Sequence, residues 1–112
     1  MSDEVEESVA PWIDVVDVAE LQRSRKTVFE HGGSEIVVFW HEERAVALAN
    51  TCIHKQNKLN RGMIMNGCIV CPGHQWQFDL DTGYCEVRDR YQPTYPVKVE
   101  EGRVLVQVSS TS

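Results

Sequence analysis

The sequence predicts an all-β fold, an antiparallel β sandwich, on two observations. Short runs rich in Val, Ile, Phe and Tyr alternate with turns that contain Gly or Asn, and almost no segment repeats its apolar residues at the helical period. Regularly spaced short strands of this kind are typical of sandwiches and barrels. The 112 residues, 42% hydrophobic and 25% charged, fit one globular domain.

The amino-terminal half is predicted to contain a strand, a helical turn and a three-stranded meander. The acidic residues 1–10 are expected to be a disordered tail. Gly32 and Gly33 can take the positive φ values of a hairpin turn, which joins two strands of the meander. The predicted elements are strand 12–16, a helical turn at 17–21 capped by Asp17, and strands 27–30, 35–40 and 45–49.

The carboxy-terminal half is predicted to consist of three hairpins. Asn66-Gly67 is the strongest short hairpin signal in the chain, and it separates two apolar runs. Residues 109–112 are expected to fray. The predicted hairpins pair 63–65 with 68–70, 77–80 with 84–87, and 97–100 with 103–108.

Two short segments each offer one thiol and one imidazole. Cys52-Ile53-His54 is followed by sixteen residues and then by Cys71-Pro72-Gly73-His74. Two such loops placed side by side can give two sulfur ligands to one iron and two nitrogen ligands to its neighbour, as in a Rieske [2Fe-2S] centre. The Asn66-Gly67 hairpin would return the chain so that the second segment arrives beside the first.

This stretch resembles the Rieske-type iron-sulfur proteins, whose signature is C-x-H followed, after a gap of this length, by C-x-x-H. The resemblance covers about residues 12 to 108, and further residues stand where the family tends to have them: Gly62, Pro72, Phe78-Asp79, Thr82-Gly83 and Tyr95-Pro96-Val97. It implies one Rieske domain, residues 11–108, in which a cluster-binding subdomain at about 50–80 is inserted into a basal β domain.

The resemblance also implies the cofactor and its ligands, one [2Fe-2S] cluster per chain. Cys52 and Cys71 would hold the inner iron, and His54 and His74 the outer iron near the surface. Asn57 and Gly73 occupy the positions where the respiratory and photosynthetic Rieske proteins have a disulfide, so that bridge cannot form here.

Trp76 and Phe78 stand where those same proteins place a serine and a tyrosine that hydrogen-bond the cluster sulfurs. Such hydrogen bonds favour the reduced state, so their loss predicts a reduction potential at the lower end of the Rieske range, about −150 mV rather than +300 mV. Both residues are expected to pack around the cluster and shield it.

Zinc is the main alternative metal, because two Cys and two His can bind Zn²⁺ and Cys68-x-x-Cys71 offers a C-x-x-C half-site. The C-x-H spacing is awkward for one tetrahedral ion, so the iron-sulfur interpretation is preferred.

Cys68 and Cys85 are interpreted as small apolar core residues on strands. His31 and His41 lack a cysteine partner and are predicted to be solvent-exposed, without chemistry.

The predicted function is that of a one-electron carrier, since no nucleophile constellation or nucleotide-binding glycine motif is present. The resemblance implies electron transfer from a flavin-containing NAD(P)H reductase to a terminal aromatic-ring dioxygenase. Two alternatives remain: the small subunit of an assimilatory nitrite reductase, and a scaffold that keeps the cluster for structure.

Charge is unevenly distributed along the chain. The net charge of −6 argues against a nucleic-acid partner. The segment from Cys52 to Phe78 has Lys55, Lys58 and Arg61 but no acidic residue. These basic side chains are predicted to guide both protein partners onto the His54/His74 tip.

Compartment and assembly are predicted from the termini and the cysteines. Residues 1–10 have no basic region and no apolar run, which argues against a signal peptide or a membrane anchor. Cysteines paired with histidines rather than with each other suit a reducing compartment. A cytoplasmic monomer is expected.

Overall fold

The computed structural model describes residues 11–52, 57–72 and 76–108. These ranges contain one α-helix, α1 (Val18–Ser24), one 3-10 turn (Leu59–Arg61) and otherwise β-strands in antiparallel pairs. The prediction of an all-β fold is therefore confirmed. The strands are β1 (Trp12–Asp17), β2 (Lys26–His31), β3 (Ser34–His41), β4 (Arg44–Ala49), β5 (Met63–Met65), β6 (Cys68–Val70), β7 (Gln77–Asp79), β8 (Tyr84–Cys85), β9 (Arg90–Tyr91), β10 (Thr94–Tyr95), β11 (Val97–Glu100) and β12 (Arg103–Gln107).

The strands form three sheets and a ribbon. The orders are β1-β12-β11 in the first sheet, β10-β4-β3-β2 in the second, β5-β6-β7 in the third, and β8-β9 in the ribbon. The predicted meander is confirmed as β2-β3-β4, paired in continuous register. Asn66 and Gly67 have φ values of 53° and 77°. These values suit the type I′ turn that an Asn-Gly pair favours, so this hairpin is also confirmed.

The second sheet, β10-β4-β3-β2, is the middle layer and contributes to two separate cores. Side chains alternate between the two faces of a strand. The core on one face, called the aliphatic core, joins the middle sheet to β12 and α1: Leu21, Ile36, Val38, Ala47, Val104, Val106 and Val108. The core on the other face, called the cysteine core, joins it to the third sheet: Val37, Phe39, Val46, Leu48, Cys52, Leu59, Ile69, Cys71, Phe78, Leu80 and Cys85.

The start of α1 differs from the prediction in its capping. Asp17 occupies the N-cap position, but its side chain makes no capping hydrogen bond. Arg103 Nη1 instead donates to Asp17 Oδ1 at 2.9 Å, and Arg103 Nε donates to Asp14 Oδ1 at 2.8 Å. The carboxylate thus ties β1 to β12, and the prediction of a side-chain cap is wrong.

The predicted hairpin of 77–80 with 84–87 is also wrong. β7 pairs with β6, while β8 pairs with β9, which was not predicted. A tight turn follows β7. Asp79 Oδ1 accepts hydrogen bonds from the backbone N–H groups of Asp81 and Thr82, and the Asp79 carbonyl accepts one from Gly83 N at 2.7 Å. This turn separates β7, which pairs with β6, from β8, which pairs with β9.

Within the described ranges, no helix has the length and apolar character needed to cross a membrane.

Candidate metal centre

Cys52 and Cys71 lie together in the cysteine core. Cys52 comes shortly after β4 of the middle sheet, and Cys71 directly follows β6 of the third sheet. Only 1% of Cys52 and 0% of Cys71 is exposed. The packing of the third sheet on the middle sheet brings together two thiols that are nineteen positions apart in the sequence.

The two cysteines begin loops that are closed in the same way. The backbone N–H of Cys52 donates to the carbonyl of Asn57 at 2.7 Å, and that of Cys71 donates to the carbonyl of Trp76 at 2.7 Å. Each hydrogen bond therefore joins a cysteine to the residue five positions further on. His54 and His74 belong to the enclosed stretches 53–56 and 73–75, which lie outside the described residues.

The thiol of Cys71 is in an environment that disfavours its ionisation. Burial raises the pKa of Cys71, and a hydrogen bond and charge interaction with Cys52 raise it further, whereas a hydrogen bond with Asn57 acts in the opposite direction. Two thiolates can share this apolar pocket only if a positive charge compensates them. Metal ions supply such a charge, because coordinated thiols are deprotonated. The donors therefore fit a metal group with sulfur ligands.

The other two cysteines differ from each other. All four cysteines lie in the described ranges, and none forms a disulfide. Cys85 on β8 is fully buried in the cysteine core, which confirms its prediction. Cys68 on β6 lies opposite Met65 and Asp79 on the outer face of the third sheet and is only half-buried, so its assignment to the core is wrong. Burial and the charge of Asp79 raise the pKa of Cys68.

Two aromatic residues contribute to the cysteine core. Phe78 is fully buried and Trp76 is partly buried, with ring centroids 6.3 Å apart. Their packing at this core is confirmed, whereas shielding of a cluster stays a prediction. The guanidinium carbon of Arg88 lies 4.9 Å from the centroid of the Trp76 ring, a distance that permits a cation–π contact.

A buried amide at the start of the first loop was not predicted. Asn50 donates through Nδ2 to Glu35 Oε1 at 3.2 Å and to Asn60 Oδ1 at 3.0 Å, and its Oδ1 accepts from the Asn60 N–H at 2.8 Å. The hydrogen bond from Asn50 and then the contacts of Lys58 lower the pKa of Glu35. These contacts fasten the chain before Cys52 to the chain after Asn57.

A second buried amide reaches the same place from a distant part of the chain. Gln92 donates through Nε2 to the carbonyls of Ala49 and Thr51, at 2.7 and 2.8 Å. No sequence signal identifies it, because it lies in a polar stretch between two strands of two residues each.

Gly62 is required by a close approach of two backbone segments. A Cβ atom at this position would lie 2.0 Å from the carbonyl oxygen of Val70. The chain that leaves the first loop therefore passes directly against the strand that leads into Cys71. This contact gives a physical reason for the glycine noted in the sequence.

The remaining described histidines do not match their prediction fully. His31 and His41 are both half-buried rather than solvent-exposed. His41 Nε2 lies 3.6 Å from Glu42 Oε2 and has no hydrogen-bond partner among the described residues. The described ranges also contain no group of three or more His, Cys, Asp or Glu side chains arranged to hold a metal ion.

The chain belongs to the Rieske [2Fe-2S] domain family, whose model matches residues 11–102. The resemblance and its cofactor, a [2Fe-2S] cluster, are thereby confirmed. Over 97 residues it is 32% identical to the ferredoxin component of the alkene monooxygenase system of Xanthobacter autotrophicus, covering 85% of this chain and 80% of that one.

Two further relatives are ferredoxins. The ferredoxin component of the naphthalene 1,2-dioxygenase system of Pseudomonas aeruginosa is 32% identical over 100 residues, covering 88% of this chain and 96% of that one. The solved structure of the ferredoxin of carbazole 1,9a-dioxygenase from Nocardioides aromaticivorans IC177 is 25% identical. It superposes with a TM-score of 0.80 over 89% of this chain and 100% of that one.

Proposed function

We propose that this chain is a Rieske ferredoxin, a one-electron carrier between a flavin-containing NAD(P)H reductase and a terminal aromatic-ring dioxygenase. The observation that carries the proposal is the pair of buried, adjacent cysteines at the start of two equally closed loops. The similar ferredoxin components of an alkene monooxygenase system and a naphthalene dioxygenase system support an oxygenase as the electron acceptor.

The proposed ligands are Cys52 and Cys71 for the inner iron and His54 and His74 for the outer iron. Burial of both cysteines supports the inner assignment, because the thiol ends of the loops face the apolar core. When bound, the cluster accepts and returns one electron, and with two thiolates and two neutral imidazoles its oxidised form is formally uncharged. A single added negative charge costs less than in an all-cysteine cluster.

The residues around the cysteines would set the reduction potential. Phe78 and Trp76 present rings and no hydroxyl group at the cysteine core. Without hydroxyl donors to the cluster sulfurs, the reduced state is less stabilised. We therefore place the potential near the lower end of the Rieske range, about −150 mV.

The proposed cluster-binding subdomain spans about residues 50–80. It contains the third sheet and both cysteines, and it packs on the basal sheets through the cysteine core. Cys85 of β8 belongs to that core as well, so the ribbon β8-β9 also supports the subdomain.

Docking of the partners is proposed at the His54/His74 tip. Lys58 contributes less charge than the sequence suggests, because its Nζ lies 3.1 Å from Glu35 Oε1. Arg61 is exposed and precedes Met63, of which 67% is exposed. An exposed cation beside an apolar side chain suits a partner surface with carboxylates around an apolar centre.

Purified protein tests the proposal directly. We expect two iron and two sulfide ions per chain, a coloured sample, and reversible uptake of one electron in an anaerobic titration. NADH or NADPH with a flavin reductase should reduce it, and an oxygenase should reoxidise it. A colourless protein with stoichiometric zinc would refute the proposal, and co-purification with a siroheme protein would favour the nitrite reductase subunit.

A further inference from the structure

Two polar side chains are buried in the described ranges, and both make hydrogen bonds at the start of the first loop. They are Asn50, with 2% exposed, and Gln92, with 1% exposed. Asn50 belongs to the loop region itself. Gln92 follows β9, more than forty positions beyond the backbone groups that it binds. A buried polar group at such a distance in sequence restrains two parts of the fold against each other.

The carboxamide of Gln92 binds the backbone on both sides of Asn50. Its Nε2 donates to Ala49 O at 2.7 Å and to Thr51 O at 2.8 Å, and Thr51 immediately precedes Cys52. The backbone N–H of Gln92 donates to Gly83 O at 2.7 Å. A Cβ on Gly83 would lie 2.0 Å from Gln92 O, so the backbone approach that seats Gln92 requires glycine there.

The same segment, residues 83–92, also contacts the second loop. Cys85 packs in the cysteine core together with Cys52 and Cys71. The guanidinium carbon of Arg88 lies 4.9 Å from the Trp76 ring centroid, and the Trp76 carbonyl accepts the hydrogen bond that closes the second loop. One continuous segment is thus fastened to the start of one loop and to the end of the other.

We propose that Gln92 is a positioning residue for the metal centre, which sets the first ligand loop relative to the second. The inference rests on the proposed function, since the geometry that it controls is that of the Cys52 and Cys71 ligands. With both hydrogen bonds present, Cys52 is held at a fixed place in the cysteine core. Without them, Ala49 O and Thr51 O lose a buried donor and the start of the loop can shift.

The decisive variant is Gln92→Met, which keeps nearly the length and volume of the side chain but removes both donated hydrogen bonds. Gln92→Asn keeps the amide but shortens it, so that it cannot reach both carbonyls. The control is Val106→Ala in the aliphatic core, where a fully buried side chain is truncated on the opposite face of the middle sheet. If Gln92 only stabilised the fold, all three variants would affect the metal centre in the same way.

Three measurements separate positioning from stability. The g-values of the reduced protein by electron paramagnetic resonance report cluster geometry, and voltammetry gives the potential. The rate of iron release to a chelator reports how firmly the loops hold the cluster. For Gln92→Met we expect shifted g-values, a shifted potential and release about tenfold faster, the factor expected for lost buried hydrogen bonds. Gln92→Asn should lie between it and the wild type, and Val106→Ala should keep the wild-type g-values and potential.

Hydrogen exchange of the protein as purified gives a further readout that needs no cluster. In Gln92→Met, peptides that cover residues 48–58 should exchange faster, whereas Val106→Ala should accelerate exchange in β1 and β12. The proposal would be overturned if Gln92→Met had the same g-values, reduction potential, iron-release rate and hydrogen exchange as the wild type. If Gln92→Met does not fold, the same comparison on Gln92→Asn decides. If the wild-type protein contained no cluster, the proposed function would be refuted. The comparison of hydrogen exchange at residues 48–58 between wild type and Gln92→Met would still test whether Gln92 positions the first loop.

Discussion

The two faces of the middle sheet differ in chemistry although the same strands build both. The aliphatic core contains only Leu, Ile, Val and Ala among its buried members. The cysteine core contains three thiols, and the buried amides of Asn50 and Gln92 lie beside the first cysteine loop. One face thus supplies stability, while the other combines stability with a place for a metal. Substitutions of neighbouring residues on one strand should therefore differ in their effect on the metal centre, even where they destabilise the fold equally.

The largest effect is expected from loss of a proposed ligand. His54→Ala should abolish the characteristic Rieske spectrum, because the outer iron loses one of its two proposed nitrogen ligands. Visible absorption and electron paramagnetic resonance would show the loss. His31→Ala, in a histidine outside the proposed centre, should leave the spectrum unchanged. A normal Rieske spectrum in His54→Ala would refute the assignment.

Val37 and Val38 allow the two faces to be compared with matched substitutions. Both are fully buried on β3, Val37 in the cysteine core and Val38 in the aliphatic core. Replacement by alanine should lower the free energy of unfolding by about 1–3 kcal/mol in either case, from lost burial and the cavity left behind. Only Val37→Ala should also accelerate iron release. Equal release rates in the two variants would mean that the cores are not functionally distinct.

The hydroxyl-free rings provide a test of how the potential is set. Phe78→Tyr and Trp76→Ser should each raise the potential, provided that the cluster is retained, because a hydroxyl can hydrogen-bond the cluster sulfurs. Voltammetry of the variants beside Phe39→Tyr, in the same core but on the middle sheet, provides the comparison. An unchanged or lower potential in both variants, with an intact cluster, contradicts this explanation.

The smallest effect is expected from surface charge. Arg61→Glu and Lys55→Glu should slow reduction by the reductase several-fold at low ionic strength without moving the potential, and the difference should shrink as salt is added. Lys58→Glu should have a weaker effect on encounter, because Glu35 already neutralises part of that charge. Arg23→Glu on α1 is the matched control. If the rate of reduction depends neither on salt nor on any of these substitutions, docking must rest on apolar contacts instead.

Local patterns in the sequence predicted much of this architecture. Positive-φ turns at Gly32-Gly33 and Asn66-Gly67 located two of the hairpins, since each signal is complete within a few residues. The spacing of Cys52 and Cys71 within their motif likewise identified the pair that the structure brings together. Such features need no knowledge of distant contacts.

Features that depend on distant contacts could not be predicted in this way. β9 and β10 have two residues each, too few to show a period, and β7 pairs with β6 rather than with the strand that follows it. The side chain of Gln92 binds carbonyls more than forty positions away in the sequence. The half-burial of Cys68 likewise depends on its register in the third sheet.

The most direct test of the proposed centre is electron–nuclear double resonance on the reduced protein labelled with ¹⁵N-histidine. Two histidine nitrogens strongly coupled to the cluster spin are expected, and both couplings should persist in His31→Ala and His41→Ala. A [2Fe-2S] signal without histidine coupling would contradict ligation by His54 and His74.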